Sequence, residues 1–316
     1  MMKRLKKLTA LLTAIGMVAA MSACGSDAAS SAAASSAASA GTEAAPAATE
    51  AAAPAEAGSA AETETAAADG DTYLIGICQL VQHEALDAAT QGFKDALTEK
   101  LGDKVKFDEQ NASGDSANCS TIVNGFLSEN VDLILANATA PLQAAAAATS
   151  EIPVLGTSVT DYATALEISD WTGTVGNNVS GTSDLAPLDQ QAAMIKELFP
   201  DAKKVGLLYC SAEPNSVYQC DTIEGYLKDE GYEVERYAFT DTNDVTSVTQ
   251  TACDNSDVIY IPTDNTAASN TEAIANVVLP AGVPVVAGEE GICKGCGVAT
   301  LSISYYDLGY TTGEMA

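Results

Sequence analysis

The feature that most constrains the fold of this chain is that its second half repeats the landmarks of its first. Leu74-Ile75-Gly76-Ile77 recurs as Val205-Gly206-Leu207-Leu208, Val131-Asp132-Leu133-Ile134-Leu135-Ala136 as Ser256-Asp257-Val258-Ile259-Tyr260-Ile261, and Ile152-Pro153-Val154-Leu155-Gly156 as Val283-Pro284-Val285-Val286-Ala287. The offset stays near roughly 130 residues, the mark of an internal duplication. Strands are expected at 73–78, 105–109, 133–136, 154–156, 205–209, 233–239, 258–261, 283–287 and 298–302, several of them apolar nearly throughout, as buried parallel strands are. Between them runs helical periodicity, with Leu86, Ala89, Phe93, Ala96 and Leu97 on one face and Ile122, Val123, Phe126 and Leu127 on another. The fold class is therefore α/β: two doubly wound, Rossmann-like lobes joined by a hinge.

The segments before the repeat are of another kind. Lys3, Arg4, Lys6 and Lys7 precede an apolar run from Leu8 to Met21 that ends in Ser22-Ala23-Cys24, the pattern of a lipoprotein signal peptide with Cys24 as the lipidated residue. Residues 25–70 are almost wholly Ala, Ser, Thr, Glu, Gly and Pro; nothing there can form a core, and a tether is expected. The chain divides accordingly into a signal (1–24), a tether (25–70), a first lobe (71–182, with 300–316 returning to it) and a second lobe (183–299). The expected location is the extracytoplasmic face of the cell membrane, held by the lipid. Losing the four signal cations takes the net charge from −29 to −33, which excludes nucleic acid as a partner and keeps a tethered domain soluble near anionic lipid.

Eight cysteines are present, and Cys24 leaves seven, which cannot all pair internally. Cys210 with Cys220, or Cys293 with Cys296, would close short loops in an oxidising compartment. One C-x-x-C and a single histidine, His83, do not make a zinc site, and no cofactor is expected.

In an open parallel sheet, ligands lie beyond the carboxyl ends of the strands. The polar residues there are Gln79, His83, Thr139, Thr157, Ser158, Thr160 and Asp161 in the first lobe. Asn215, Ser216, Thr263, Asp264, Asn265, Thr266 and Glu289 occupy the matching ends in the second. Hydroxyls, amides and helix N-termini can hold a carboxylate, while Asp161, Asp264 or Glu289 can balance an ammonium. His83 serves equally well as a ligand contact or at a helix cap. Asp264 and Asn265 can bind ligand or cap a helix from Ala267, whereas Glu289, in a Gly-bounded loop, has no obvious helix to serve. Trp171 reads as a core residue beside the hinge, and Tyr305, Tyr306 and Tyr310, at helical spacing, as packing.

The run Ile75-Gly76-Ile77-Cys78-Gln79-Leu80-Val81-Gln82-His83-Glu84-Ala85-Leu86-Asp87 and Asn178-Val179-Ser180-Gly181-Thr182-Ser183-Asp184 resemble the ABC-transporter substrate-binding family that includes tryptophan- and tyrosine-uptake proteins. Pro262-Thr263-Asp264-Asn265-Thr266, Gly288-Glu289-Glu290-Gly291 and Tyr305-Tyr306-Asp307-Leu308-Gly309-Tyr310 extend the likeness over the chain after the tether. The resemblance implies a type I periplasmic-binding fold, an ABC permease and ATPase complex as partner, and an amino-acid ligand, aromatic by the same likeness, with Asp264 and Glu289 as polar anchors. On the fold argument, a further turn and strand are expected after Met315-Ala316.

Enzyme readings lack their parts. No Gly-x-Ser-x-Gly elbow or phosphate-cradling Gly-rich loop is present, and a Ser-His-Asp site would have to use His83. A sensor module signalling through a membrane receptor, or capture of a sugar or nucleoside, would use the same fold. The expected mechanism is hinge closure on a small-molecule ligand, with the hinge near 176–184 and 288–300.

Overall fold

The computed structural model describes residues 72–316; Cys24, the signal and the tether lie outside the described residues. The first sheet is built from β1 (Tyr73–Gln79), β2 (Val105–Asn111), β3 (Leu133–Asn137), β4 (Val154–Val159) and β5 (Val179–Ser183), all parallel, in the order β2-β1-β3-β4-β5. Alternation along the strands divides its core in two. Ile75, Ile77, Leu133, Leu135 and Leu155 pack on Phe93 and Leu97 of α1 (Glu84–Leu101). Cys78, Ile134, Ala136 and Val154 face the other way, onto Val123 and Phe126 of α2 (Ser116–Glu129) and Leu142 of α3 (Thr139–Ala148). The short α4 (Tyr162–Ala165) follows β4.

The second sheet repeats the first. β6 (Lys204–Cys210), β7 (Glu233–Phe239), β8 (Val258–Ile261), β9 (Val285–Ala287) and β10 (Ala299–Thr300) run parallel in the order β10-β9-β8-β6-β7, so β6 stands where β1 does and β8 where β3 does. Val205, Leu207, Tyr209, Val258 and Tyr260 lie against α5 (Leu188–Leu198) and α6 (Pro214–Asp229). Leu208, Cys210, Ile259, Ile261 and Ala287 lie against α7 (Val245–Asn255), α9 (Thr271–Ala281) and α10 (Glu290–Cys296), with α8 (Asn265–Ala268) just after β8. Cys210 and Cys220 therefore sit on opposite faces of one sheet and cannot pair, contrary to the expectation from their spacing. A duplicated device starts both sheets. Asp132 Oδ2 accepts from Leu74 N at 2.7 Å, and Asp257 Oδ2 accepts from Lys203 N and Lys204 N at 2.7 and 2.9 Å.

The chain leaves the first sheet after β5 through residues 184–187 and returns through residues 301–304 to α11 (Tyr305–Met315), which packs along α1. The return is later than the sequence pattern places it, because β10 is a two-residue edge strand that pairs only with β9 and ends at Thr300. Close approach of α1 and α11 depends on glycine. A Cβ at Gly92 would fall 2.1 Å from Tyr306 O and one at Gly309 1.9 Å from Ala89 O, distances no side chain tolerates. Trp171 is half-exposed on the loop before β5 rather than buried in the core, because that loop runs over the surface. Among the described residues no helix is long and apolar enough to cross a membrane.

Candidate functional site

Each sheet ends in loops that open helices, so the N-cap residues after the strands form two facing rims. The first rim carries His83 at the cap of α1, Asp115 at α2, Ala138 at α3 and Asp161 at α4. At the matching places the second rim carries Glu213 at α6, Asp244 at α7, Asp264 at α8 and Glu289 at α10.

Glu213 and Asp264 are the centre of the second rim, and both are buried. The Glu213 carboxylate accepts from Asn265 N (3.0 Å) and Nδ2 (2.7 Å), from Thr266 N (2.8 Å) and Oγ1 (2.7 Å), and from Asn215 Nδ2 (3.1 Å). Asp264 accepts from Cys210 N at 2.6 Å and Ala267 N at 2.8 Å, with the Ser216 hydroxyl beside it. Among the described residues no lysine or arginine pairs with either carboxylate. Burial, and then the nearby Glu213 charge, push the Asp264 carboxyl up to about 8, against the pull of its backbone N–H donors.

The two rims touch through specific hydrogen bonds. His83 Nε2 lies 3.2 Å from Asn265 Oδ1, so Asn265 links His83 of one lobe to Glu213 of the other. Burial lowers the His83 imidazole below its ordinary range, only partly offset by this bond. Gln219 Nε2 of α6 donates to Thr160 Oγ1 at 3.3 Å, and Thr160 in turn donates to Asp184 Oδ1 at 3.0 Å. Tyr305 Oη donates to Asp184 Oδ2 at 2.9 Å, tying the outgoing crossing to the start of α11 after the returning one. Burial raises the Asp184 carboxyl, opposed by these hydroxyl donors. Lys294 of α10 pairs with Glu84 of α1 across the outer edge.

Of the residues singled out from the sequence, His83, Asn215, Ser216, Asp264 and Asn265 form one connected network. Ser158 stands on the first rim with a left-handed backbone (φ 56°) and a buried Oγ that has no protein partner. Ala138, cap of α3, also has a positive φ of 103°, and such conformations cost on the order of 1–3 kcal/mol each and gather at ligand sites. Thr139 is buried in the first turn of α3. Gln79 turns inward instead: Nε2 donates to Val81 O and Asp87 Oδ1, and Oε1 accepts from Thr90, so its amide braces the first lobe. Asp161 caps α4 through Thr164 N at 2.7 Å. Glu289 does have a helix to serve, for it caps α10 through Gly291 N at 2.6 Å and Ile292 N. The sequence conceals that helix because seven residues, Glu290–Cys296, are too few to show a period.

Glu213, Gln219, Asp184 and Tyr305 were not among the residues expected to act. Tyr305 is at helical spacing and reads as packing, and Glu213 was not singled out; an acidic residue at the cap matching His83 was the available signal.

Between the rims lies a cavity of about 240 Å³, lined by Val81 and Gly114 on one side and Glu213, Thr240 and Thr266 on the other. A second, of about 350 Å³, runs from His83 to Glu289 and Lys294. Larger grooves of about 600 and 760 Å³ are lined by residues of the first lobe alone and lie toward the amino ends of its strands, the end opposite to where an open parallel sheet binds ligands, so volume alone does not select the site.

Residues 74–316 match the model of the ABC transporter substrate binding protein family. The chain is 38% identical over 263 residues to a tyrosine-binding protein of Clostridioides difficile (strain R20291), covering 82% of this chain and 76% of the relative. It superposes with a TM-score of 0.75, at 32% identity, on an ABC domain from Streptococcus pneumonia in complex with L-Trp, covering 78% of this chain and 83% of that one. On the ligand-free, open structure of a substrate binding protein with adhesive properties from Clostridium difficile the TM-score is 0.56, although identity is 36% and coverage 77% and 83%. The more similar sequence thus superposes less well when its structure is open, in accord with the hydrogen bonds that bridge the rims here.

Proposed function

From a chain that belongs to the ABC transporter substrate binding protein family, and so to binding proteins rather than enzymes, we propose that it captures an amino acid, an aromatic one, between its two rims and presents it to a permease and ATPase. The carrying observation is the contrast of charge across the cleft. The second rim holds two buried carboxyl groups with no lysine or arginine paired to them among the described residues, a setting that favours an ammonium; the first offers the unpartnered Ser158 hydroxyl and the strained backbone at Ala138, a setting that favours a carboxylate. The relatives that bind tyrosine and tryptophan by name support the aromatic class.

Closure follows from where the contacts lie. The His83–Asn265 and Thr160–Gln219 bonds exist only with the rims together, so a ligand that touches both rims shifts the open–closed equilibrium toward the closed form. No bond of the ligand is made or broken. A signal peptide and Cys24 lipidation would hold the domain at the extracytoplasmic membrane face, and an importer rather than a receptor would be its partner.

A thermal-unfolding screen of the chain against amino acids, sugars and nucleosides tests the ligand. A ligand at 100 times its Kd adds about 2.7 kcal/mol, or roughly 5–10 °C for a domain of this size. A shift confined to Tyr, Trp or Phe supports the proposal, and a shift with a sugar or nucleoside alone overturns the ligand class. Metabolic labelling with a radioactive fatty acid tests the anchor: label must enter the wild type and not Cys24→Ser.

A further inference from the structure

Among the described residues the chain crosses between the lobes twice, and on each side of the gap a buried polar side chain fastens it. On the first lobe that side chain is Asp184, just past the end of β5. Its backbone N–H donates to Val159 O at 3.2 Å, its Oδ1 accepts from the Thr160 hydroxyl at 3.0 Å, and its Oδ2 accepts from the Tyr305 hydroxyl at 2.9 Å. One carboxyl group thus holds the outgoing chain, the end of β4 and the head of α11 together. Thr182 adds to this through Thr312 of α11, 2.7 Å away.

On the second lobe the side chain is Gln191 of α5, fully buried. Its Nε2 donates to Leu301 O at 2.8 Å, and its Oε1 accepts from Tyr260 Oη of β8 at 2.6 Å. Leu301 therefore stays with the second lobe, as does Leu188, which packs with Ile195 and Val205. Only residues 185–187 and 302–304 lie between the fastenings. Of the latter, Ser304 caps α11 and Ile303 leans on Ala85 and Ala89 of α1, whereas Ser302 Oγ reaches only Ile303 O, at 3.2 Å.

We propose that Asp184 and Gln191 set the axis of the hinge, Asp184 keeping both crossings with the first lobe at one end and Gln191 keeping Leu301 with the second, so that the lobes turn about residues 185–187 and Ser302. The axis falls beyond 176–184 and 288–300, where the sequence pattern places it. Asp184 has a second task in the closed form. A threonine hydroxyl has one proton, and Thr160 gives it to Asp184, which leaves a lone pair to accept from Gln219 Nε2 of the other lobe at 3.3 Å. Asp184 is thus a positioning residue that acts through Thr160. The inference rests on closure of the rims and not on the class of ligand.

Hydrogen exchange in the ligand-free full chain reads the fastening directly. The Asp184 amide is expected to exchange more slowly than those of Leu185 and Ser302, and Tyr305→Phe to raise its rate roughly two- to tenfold, the effect of one lost hydrogen bond. Tyr232→Phe, which removes a hydroxyl bonded to Phe199 O at the other end of α5, should leave that rate alone. An Asp184 amide as fast as that of Leu185, or unmoved by Tyr305→Phe, overturns the assignment whatever the cleft binds. Crystal structures grown without ligand and with L-tyrosine then locate the axis. Torsion changes beyond the roughly 20° scatter of ordinary backbone should fall at 185–187 and around Ser302, with the Asp184–Tyr305 and Gln191–Leu301 bonds kept. Changes centred in 176–184 or 288–300, or the loss of either bond, overturn the proposal. Two alike forms with L-tyrosine in the cleft overturn closure itself and the hinge with it, whereas failure of the exchange test alone leaves closure standing. Thr160→Val should weaken L-tyrosine binding roughly two- to tenfold and Thr160→Ser restore it; an equal loss in both overturns the orienting role.

Discussion

The two lobes share one topology and one way of starting their sheets, but they finish their strands differently. After β1, β3 and β4 the caps are His83, Ala138 and Asp161; after β6, β8 and β9 they are Glu213, Asp264 and Glu289. The duplicated framework thus carries one rim with a single carboxylate at these positions and one with three. Pairing and core packing need only apolar alternation, which the repeats preserve, whereas the caps lie outside the sheets and are free to diverge. The asymmetry gives the two rims unlike polar character, the feature on which the proposed orientation of an amino-acid ligand rests.

The largest expected effect breaks the second rim at its centre. Glu213→Ala leaves two backbone N–H groups, the Thr266 hydroxyl and the amides of Asn215 and Asn265 without their acceptor in a buried site. A loss on the order of 3–5 kcal/mol is expected in urea unfolding. The comparable change on the first rim, Asp161→Ala, removes one capping bond at an exposed helix end and should cost about 1 kcal/mol. Equal costs would mean that the rims are not built differently.

The next effect sharpens the comparison through pH. The Asp264 carboxyl ionises near 3.8 when unfolded and at about 8 in the folded protein, so between these values the native state holds a proton that the unfolded state has released. The contribution of Asp264 to stability therefore falls as pH rises from about 4 to 8, while His83, whose imidazole burial lowers, contributes with the opposite sign below its ordinary range. Asp184 and Glu289, also raised by burial, act with the same sign as Asp264, so Asp264→Asn should flatten the slope of Tm against pH without abolishing it. An unchanged slope in Asp264→Asn would place the proton elsewhere. If the ligand's ammonium takes the place of that proton, as proposed, saturating ligand flattens the slope in the wild type as well.

Much of this asymmetry is hidden in the sequence while the framework is not. Strands such as β3, apolar from Leu133 to Ala136, and Val258–Ile261 are continuous apolar runs, and the repeats declare two parallel sheets before any contact is known. Asp264 and Asn265 stand out for the same reason, as polar residues ending such a run. Glu213 does not, because its partners Asn265 and Thr266 are some fifty positions away and meet it only once β8 lies beside β6. Gln79 misleads in the opposite sense: a polar residue at a strand end reads as a ligand contact, yet Thr90 and Asp87 of the following helix take up its amide. A helix as short as α10, with seven residues, leaves no period, which is why its cap Glu289 looks like a carboxylate with no helix to serve.

The smallest effects concern the bonds that join the rims, and they separate a buried bridge from an exposed one. His83→Phe removes the contact to Asn265 in a partly buried setting, where a neutral hydrogen bond is worth about 0.5–1.5 kcal/mol, so ligand affinity should fall roughly two- to tenfold with little change in the stability of either lobe. Lys294→Ala removes the pair with Glu84 at the outer edge, where both side chains are more than half exposed and water and salt screen the charges. Its effect on Kd should be no more than about twofold at low salt and should vanish as salt rises. Isothermal titration of both variants at two salt concentrations compares them directly. If Lys294→Ala weakens binding more than His83→Phe does, and salt does not erase the difference, the cleft is held shut from its edge and not by the residues at its centre.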